Sequence, residues 1–499
     1  MNIKKTLALI LAFLMAATVF VSCAETGGET ESTTEAATAA PVEDQTTESL
    51  YDKDGYLKDA LPEKLDFNGI EIWTLYDSKV SNPEFFVEEE NGEQVNDAIW
   101  KRNLTTEGRL NVTLKYYGVK GNDGNQAEYC TAAQTDYDSG DNLYAIYGAY
   151  SRTIPFLSMK GFLQDLFQTE YLNFDAPWWP QSVTSELTIK NKLLMATGDI
   201  STNVLWMMSV VYYNRDLWKD SGFGYTLEDV TNEGNWTLDK LIEIVKDYYK
   251  DDGDGIVNAN DTFGIVMYNA CCDAFLNFCN VISIDKDSEG NLKLSDDFMG
   301  EKTDNIVSKL GAIATTSTMH YSKTSADEKA IFFNGHSLFI TDGTFIVTNS
   351  ENGRNISFDY GILPGPKYDV NQERYVTNMR YPYEIYAINS ANLKVKESSA
   401  VLEAQASHAY RIVTPAIFEV TMKTRYAMDD ISSKMYDYVR DGVVFDLGRM
   451  YNYSLTNYYP DFRNCIFAGG IGWIKKVAGL NKSLKSQLAA IMEVYDSYQ

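Results

Sequence analysis

The side chains able to do covalent or metal chemistry are few in this 499-residue chain, and their spacing is poor for catalysis. There are three histidines, His320, His336 and His408, far apart in sequence. No HExxH helix and no GxSxG elbow is present, which argues against a zinc hydrolase or a Ser-His-Asp enzyme. Besides Cys23 there are five cysteines, Cys130, Cys271, Cys272, Cys279 and Cys465. Their odd number argues against a disulfide framework, and Cys271-Cys272-x6-Cys279 lacks the paired spacing of a zinc site. Buried free thiols are the expected state. One acidic loop, Asp251-Asp252-Gly253-Asp254-Gly255, has the look of a calcium loop. With Gly255 at the tight turn, Asp252, Asp254 and Asp261 fall on ligand positions and are candidate calcium ligands. Lys250 then stands at the first ligand position and cannot bind the ion, so a solvated acidic turn is the preferred reading.

Cys23 carries a different chemistry. Lys4 and Lys5 precede an apolar stretch from Leu7 to Val21 that is too short to span a bilayer of ~30 Å and fits the core of a secretion signal. Phe20-Val21-Ser22-Cys23 is similar to a bacterial lipobox, with Phe20 where Leu is usual. Residues 1–22 are therefore expected to be a signal peptide, and Cys23 the acylated N-terminus of the mature protein. The following segment is Thr-, Glu-, Ala- and Ser-rich with nothing aromatic to bury before Tyr51. Such a composition cannot offset its ordering entropy, so residues 23–60 are assigned to the lipidated cysteine and a disordered tether. The expected location is the extracytoplasmic face of the cell membrane, held by lipid.

The remaining body is large enough for two or three domains. A formal net charge of −27 repels nucleic acid and anionic membrane surfaces, and both are excluded as partners. Aromatic residues are abundant, with 34 Tyr, 23 Phe and 8 Trp; their flat bodies and polar tips suit a cleft for a solute with apolar faces and hydroxyl edges.

The elements that must position such a cleft alternate along the chain. Asn68-Gly69 is a turn, followed by a strand with alternating Ile70, Ile72 and Thr74. Asn96–Leu110 has helical periodicity, and strands are expected at 111–117 and 142–149. The Pro-bracketed Trp178-Trp179 pair lies in a rigid loop. A strand into a turn is expected over 191–200, and another strand over 209–214, with a helix starting at Arg215. Thr237 is a plausible cap for an amphipathic helix whose stripe is Leu238, Leu241, Ile242 and Val245. Alternating strands and helices imply an α/β body with largely parallel sheets, whose ligands bind beyond the carboxyl ends of the strands. Tyr76, Asp77 and Tyr147 stand near such ends.

Several segments in order resemble the carbohydrate-type family 1 of extracellular solute-binding proteins of bacterial ABC importers. They are Val211–Trp218 (VYYNRDLW), Glu233–Leu241 (EGNWTLDKL) with the Asp-Gly-Asp-Gly turn and Asp261–Ile265 (DTFGI), Phe339–Gly343 (FITDG) and Asp359–Lys367 (DYGILPGPK). The resemblance covers roughly residues 64–450. It implies a two-lobed periplasmic-binding-protein-like fold of type II, with a hinge and an interlobe ligand cleft. Lobe one is expected over 61–200 plus 387–425, and lobe two over 205–375 plus part of 426–499. Crossings are expected near Gly198–Trp206 and Tyr375–Tyr386, with a third candidate near Arg425. The family works without covalent catalysis. It implies a monomer that captures a small solute, by this composition a sugar or oligosaccharide, closes on it and delivers it to an ABC permease. No cofactor is implied. The cleft candidates are Tyr76, Asp77, Tyr147, Trp178, Trp179, Trp206, Asp342, Arg380, Tyr381 and Tyr383. A surface glycoside hydrolase, a binding protein for peptides, and a lipoprotein adhesin or scaffold without a small ligand are the rival readings.

Overall fold

The computed structural model describes residues 49–80, 83–348, 353–419 and 430–498. The expected signal peptide, Cys23, the tether up to residue 48 and the crossing near Arg425 lie outside the described residues. Tyr51–Gln499 is a compact unit. Its first residues correct the tether boundary. Within residues 51–60, assigned to the tether by composition, Asp52 and Asp59 are anchored to the body by Arg411 and Arg109. Asp59 has a side chain only 2% exposed and is held by Arg109 at 2.6 and 2.7 Å, which a composition window cannot register.

Fourteen strands are described. They are β1 (Ile70–Asp77), β2 (Val112–Val119), β3 (Tyr144–Tyr150), β4 (Ser209–Asn214), β5 (Tyr249–Lys250), β6 (Thr262–Tyr268), β7 (Ile284–Lys286), β8 (Leu292–Leu294), β9 (Met319–Ser322), β10 (Ser337–Gly343), β11 (Tyr360–Leu363), β12 (Thr377–Asn378), β13 (Glu384–Ile388) and β14 (Val443–Val444). Lobe one has a four-stranded sheet in the order β13-β3-β1-β2, parallel except at β13. Lobe two has a six-stranded mixed sheet in the order β11-β4-β10-β6-β5, with β9 also on β6. The turn before β1 is made by Asn68 and Gly69, both at positive φ, which these two residue types tolerate. The helix after Thr237 runs Leu238–Val245, and Thr237 Oγ1 accepts from Lys240 N at 3.2 Å. The helix after β4 is capped by Asn214, whose side chain accepts from Leu217 N at 3.0 Å.

The segment 191–200 is not the strand its sequence suggests. Leu193, Leu194 and Met195 are all fully buried, but the segment joins neither sheet. It pairs at single points only, Ile189 with Lys192 and Ala196 with Tyr386.

That second contact starts the passage between the lobes. The chain leaves lobe one's sheet after β3, reaches lobe two at β4, and returns between β11 and β13. The two crossings run antiparallel to one another. Ala196 and Tyr386 exchange both backbone hydrogen bonds at 2.9 and 2.8 Å, and Arg380 N donates to Met207 O at 2.9 Å beside a Met208–Met379 bridge. The last helix, Trp473–Ser497, adds a further link. Trp473 Nε1 donates to Phe298 O of lobe two at 3.0 Å, while Asp496 pairs with Lys190 of lobe one at 2.5 Å.

Lobe one closes over a buried carboxyl. Trp178 and Trp179 donate their indole N–H groups to the two oxygens of Glu403, at 3.0 and 2.8 Å, and Asn173 N adds a third bond at 3.2 Å. Burial nevertheless pushes Glu403 up to about 7. Glu403→Ala strands two buried indole donors and is expected to cost about 3 kcal/mol in urea denaturation, with Glu403→Gln costing less because one acceptor remains.

Candidate functional site

Four parts of the chain converge where the two lobes meet. Asp123 follows β2 and Arg152 follows β3, both beyond the carboxyl ends of lobe-one strands. Asp273 follows β6 of lobe two in the same sense. Tyr381 comes from the returning crossing, and Arg449, Tyr453 and Tyr459 from the C-terminal segment. This is the position at which α/β sheets bind ligands.

The Tyr381 ring has two guanidinium neighbours, with Arg152 Cζ and Arg449 Cζ each 4.6 Å from its centroid. Arg152 also lies 5.0 Å from the Tyr150 ring and 4.8 Å from the Tyr453 ring. Its Nη2 donates to Asp123 Oδ1 at 2.7 Å, and its Nε to Tyr150 Oη at 2.9 Å. Tyr453 Oη donates to the same Asp123 oxygen at 2.7 Å. On the other side, Asp273 takes Arg449 at 3.3 Å and Arg463 at 2.8 and 2.5 Å. Tyr381 Oη donates to Arg449 O at 2.5 Å. Burial raises the Tyr381 hydroxyl above its ordinary value although both guanidinium groups oppose the shift, so it is a donor at neutral pH. The cluster grades from a buried floor at Arg449, 7% exposed, to a solvent rim at Asp123, 72% exposed.

Of the residues expected from sequence, four lie together at the returning crossing. Arg380 forms an ion pair with Asp342 and has the Phe345 ring 5.2 Å from its Cζ. Its partner is Asp342, and not the Glu384 that sequence proximity suggests. Tyr381 and Tyr383 lie with rings nearly parallel, centroids 6.4 Å apart. The others sit elsewhere. Trp178 and Trp179 are core, as above. Tyr147 is fully buried against Phe162, on the core-facing side of β3. Trp206 is buried, with its carbonyl accepting from Thr344 Oγ1 at 2.8 Å. Asp77 closes the loop after β2 by accepting from Gly121 N and Lys79 N at 2.8 and 2.9 Å. Tyr76 packs with Phe86 and Tyr116 beside it on lobe one. Sequence reading missed Arg152, Arg449, Tyr453, Asp123 and Asp273. The strand-end rule that selected Tyr76 reaches Asp123 and Arg152 if followed a few residues further. Nothing in the C-terminal sequence singles out Arg449 or Tyr453.

The acidic loop differs in detail from expectation. Asp251, Asp252 and Asp254 bring carboxylate oxygens within 4.8 Å of one another. Asp261 is instead spent on the loop itself, accepting from Asp252 N, Asn258 N and Tyr249 Oη at 2.8–3.0 Å. The five cysteines of the body are buried and unbridged.

What the interlobe cluster can do is bind. It offers guanidinium donors, carboxylate acceptors and aromatic edges from both lobes. The histidines lie apart from it. His320 is on β9 against Phe263, His408 is half-buried at the end of the helix Val395–His408, and His336 is in the turn before β10.

No family model matches the chain, and no curated protein matches it. Solved structures do. A cyclo/maltodextrin-binding protein complexed with maltotetraose is 10% identical, with a TM-score of 0.56 over 84% of this chain and 97% of that one. A family 1 extracellular solute-binding protein from Bifidobacterium longum subsp. infantis is 15% identical, with a TM-score of 0.56 over 85% of this chain and 99% of that one. The fold is that of the two-lobed solute-binding proteins.

The Asp342–Arg380 pair lies where the returning crossing meets β10, with Asp342 buried and the Arg380 side chain 18% exposed. Removing one partner leaves an uncompensated buried charge. Asp342→Ala is expected to cost about 3–5 kcal/mol in chemical denaturation, and the double variant Asp342→Ala with Arg380→Met is expected to recover part of that loss.

Proposed function

We propose that this protein is a solute receptor that captures a sugar or oligosaccharide between its lobes and hands it to an ABC permease. On this reading the body is tethered to the extracytoplasmic face of the membrane through acylated Cys23. The observation that carries the proposal is the convergence of Arg152 from lobe one, Tyr381 from the returning crossing, and Arg449 and Tyr453 from the C-terminal segment, in a fold whose solved neighbours include a maltotetraose complex. A solute touching both sides binds the closed arrangement better than the open one. It therefore shifts the population by that difference in affinity, and no bond has to be made or broken. Guanidinium and carboxylate groups suit the hydroxyls of a sugar, and tyrosine rings suit its apolar faces.

The test is a thermal-shift screen of the Tyr51–Gln499 body against mono- and oligosaccharides, peptides and calcium, with product analysis of the same mixtures. One sugar class at many times its Kd should stabilise the fold by a few kcal/mol and leave no product. Arg152→Ala should weaken that sugar at least about tenfold, as loss of one charge-assisted hydrogen bond predicts. Release of shorter sugars would replace this reading with the glycoside hydrolase. A shift with peptides alone would keep the receptor and change its cargo.

A further inference from the structure

Two acidic side chains face each other inside the crossing, where the receptor mechanism has no use for them. Glu84 comes from the loop after β1, and Glu384 opens β13 on the returning crossing. Both are about 1% exposed. Glu84 Oε1 is satisfied by the outgoing crossing, accepting from Ser201 Oγ at 2.8 Å and Asn203 N at 2.7 Å. Ser201 Oγ in turn accepts from Glu384 N at 3.3 Å. Glu84 Oε2 and Glu384 Oε1 are buried without a well-formed hydrogen bond, and the Asn203 side chain also lies beside the Glu84 carboxyl. The two carboxyl groups are within hydrogen-bonding reach of each other. Two orphaned acceptors on adjacent acids can be satisfied together by one proton between them; two bare carboxylates there could not.

The surrounding charges agree with one proton. Arg102, on the helix Gln94–Leu110, is fully buried. Its guanidinium donates to Glu84 O at 2.7 Å and Phe85 O at 3.1 Å, and at 3.4 Å to Ile200 O of the outgoing crossing, all of them neutral carbonyls. A pair carrying one negative charge balances Arg102, whereas a doubly ionised pair leaves a buried excess. The other titratable groups facing the pair add no positive charge. They are Asp77 and Tyr76 at the end of β1, Tyr129 on the helix Gln126–Ser139, and Tyr386 on β13. Tyr386 fastens the same spot, accepting from Gly198 N and Ser201 N at 3.0 Å each.

We propose that Glu84 and Glu384 share a single proton that ties the outgoing crossing, the returning crossing and the loop after β1 into one hinge, so that the hinge loosens when that proton is lost. Burial, and then the neighbouring carboxyl, raise Glu384 well above its usual range; burial raises Glu84 to about 7. An acid whose proton is held more tightly in the folded state adds stability below its unfolded value. It loses that contribution as pH rises through the folded value. Loosening is therefore expected on going from mildly acidic to mildly alkaline solution.

The test needs no solute, so its failure would leave the receptor reading untouched. Melting temperature and hydrogen exchange at residues 197–203 are followed from pH 5.5 to 8.5 in wild type, Glu384→Gln and Glu84→Gln, in chelator. Glu186, Asp199 and Glu403 are also pushed up to about 7 by burial, so the difference between variant and wild type is the quantity read. Glu384→Gln supplies a permanent N–H donor in place of the proton. It should remove roughly a third or more of the wild-type pH dependence, match or exceed wild type at pH 8.5, and abolish the pH-driven rise in exchange. If Glu384→Gln does not fold, Glu84→Gln removes the other half of the pair and carries the same expectation. Wild-type pH dependence retained in the variants would overturn the proposal. So would recovery of wild-type stability at pH 8.5 by sodium or calcium ions, which would place a metal cation between the acids.

Discussion

A chain that builds two lobes and passes between them must satisfy its backbone where neither sheet can help. Buried N–H and C=O groups left unpaired are costly, so the crossings cannot be loose linkers. Here they pair with each other. Residues 196 and 207–208 meet 386 and 379–380 in antiparallel fashion, and the Tyr386 hydroxyl stands in where the outgoing chain turns away. Everything at the seam follows from that pairing. It sets Arg380 against Asp342, and it brings Glu384 beside Glu84. It also holds Tyr381 where guanidinium groups from lobe one and from the C-terminal segment reach it.

The charge distribution is divided in the same way. The chain carries −27 overall, yet Arg152, Arg380, Arg449 and Arg463 gather at the seam. Each is matched to a carboxylate, Asp123, Asp342 or Asp273. Buried guanidinium groups need such partners, and planar forks hold them at fixed angles. The result is a site rich in oriented donors and acceptors with little net charge of its own. That favours recognition by hydrogen-bond geometry over long-range attraction.

The links between lobes also bear on motion. Besides the two crossings, the final helix rests on Phe298 at one end and on Lys190 at the other. Domain closure in general is a rotation about a few element ends, absorbed by short and local contacts. The crossing pair and its carboxyls are candidates for this role because they are joined to both lobes at once.

Much was legible along the chain itself. Period-two patterning and a flanking turn located β1, the segment at 209–214 was expected as a strand, and Thr237 marked its helix, because local sterics and capping act over a few residues. The order of short motifs pointed to the two-lobed fold. The segment 191–200 misled because a short buried apolar run reads alike whether or not it finds a sheet partner. The tryptophan pair misled for a related reason: an aromatic residue reads alike in a cleft and in a core, and only the distant Glu403 turned Trp178 and Trp179 inward. Composition, charge, element types and the scarcity of catalytic side chains were thus determined by sequence alone. The seam was decided by tertiary structure, since Arg152, Tyr381 and Arg449 meet across some 300 residues of chain, and contacts at that separation leave no local pattern to read.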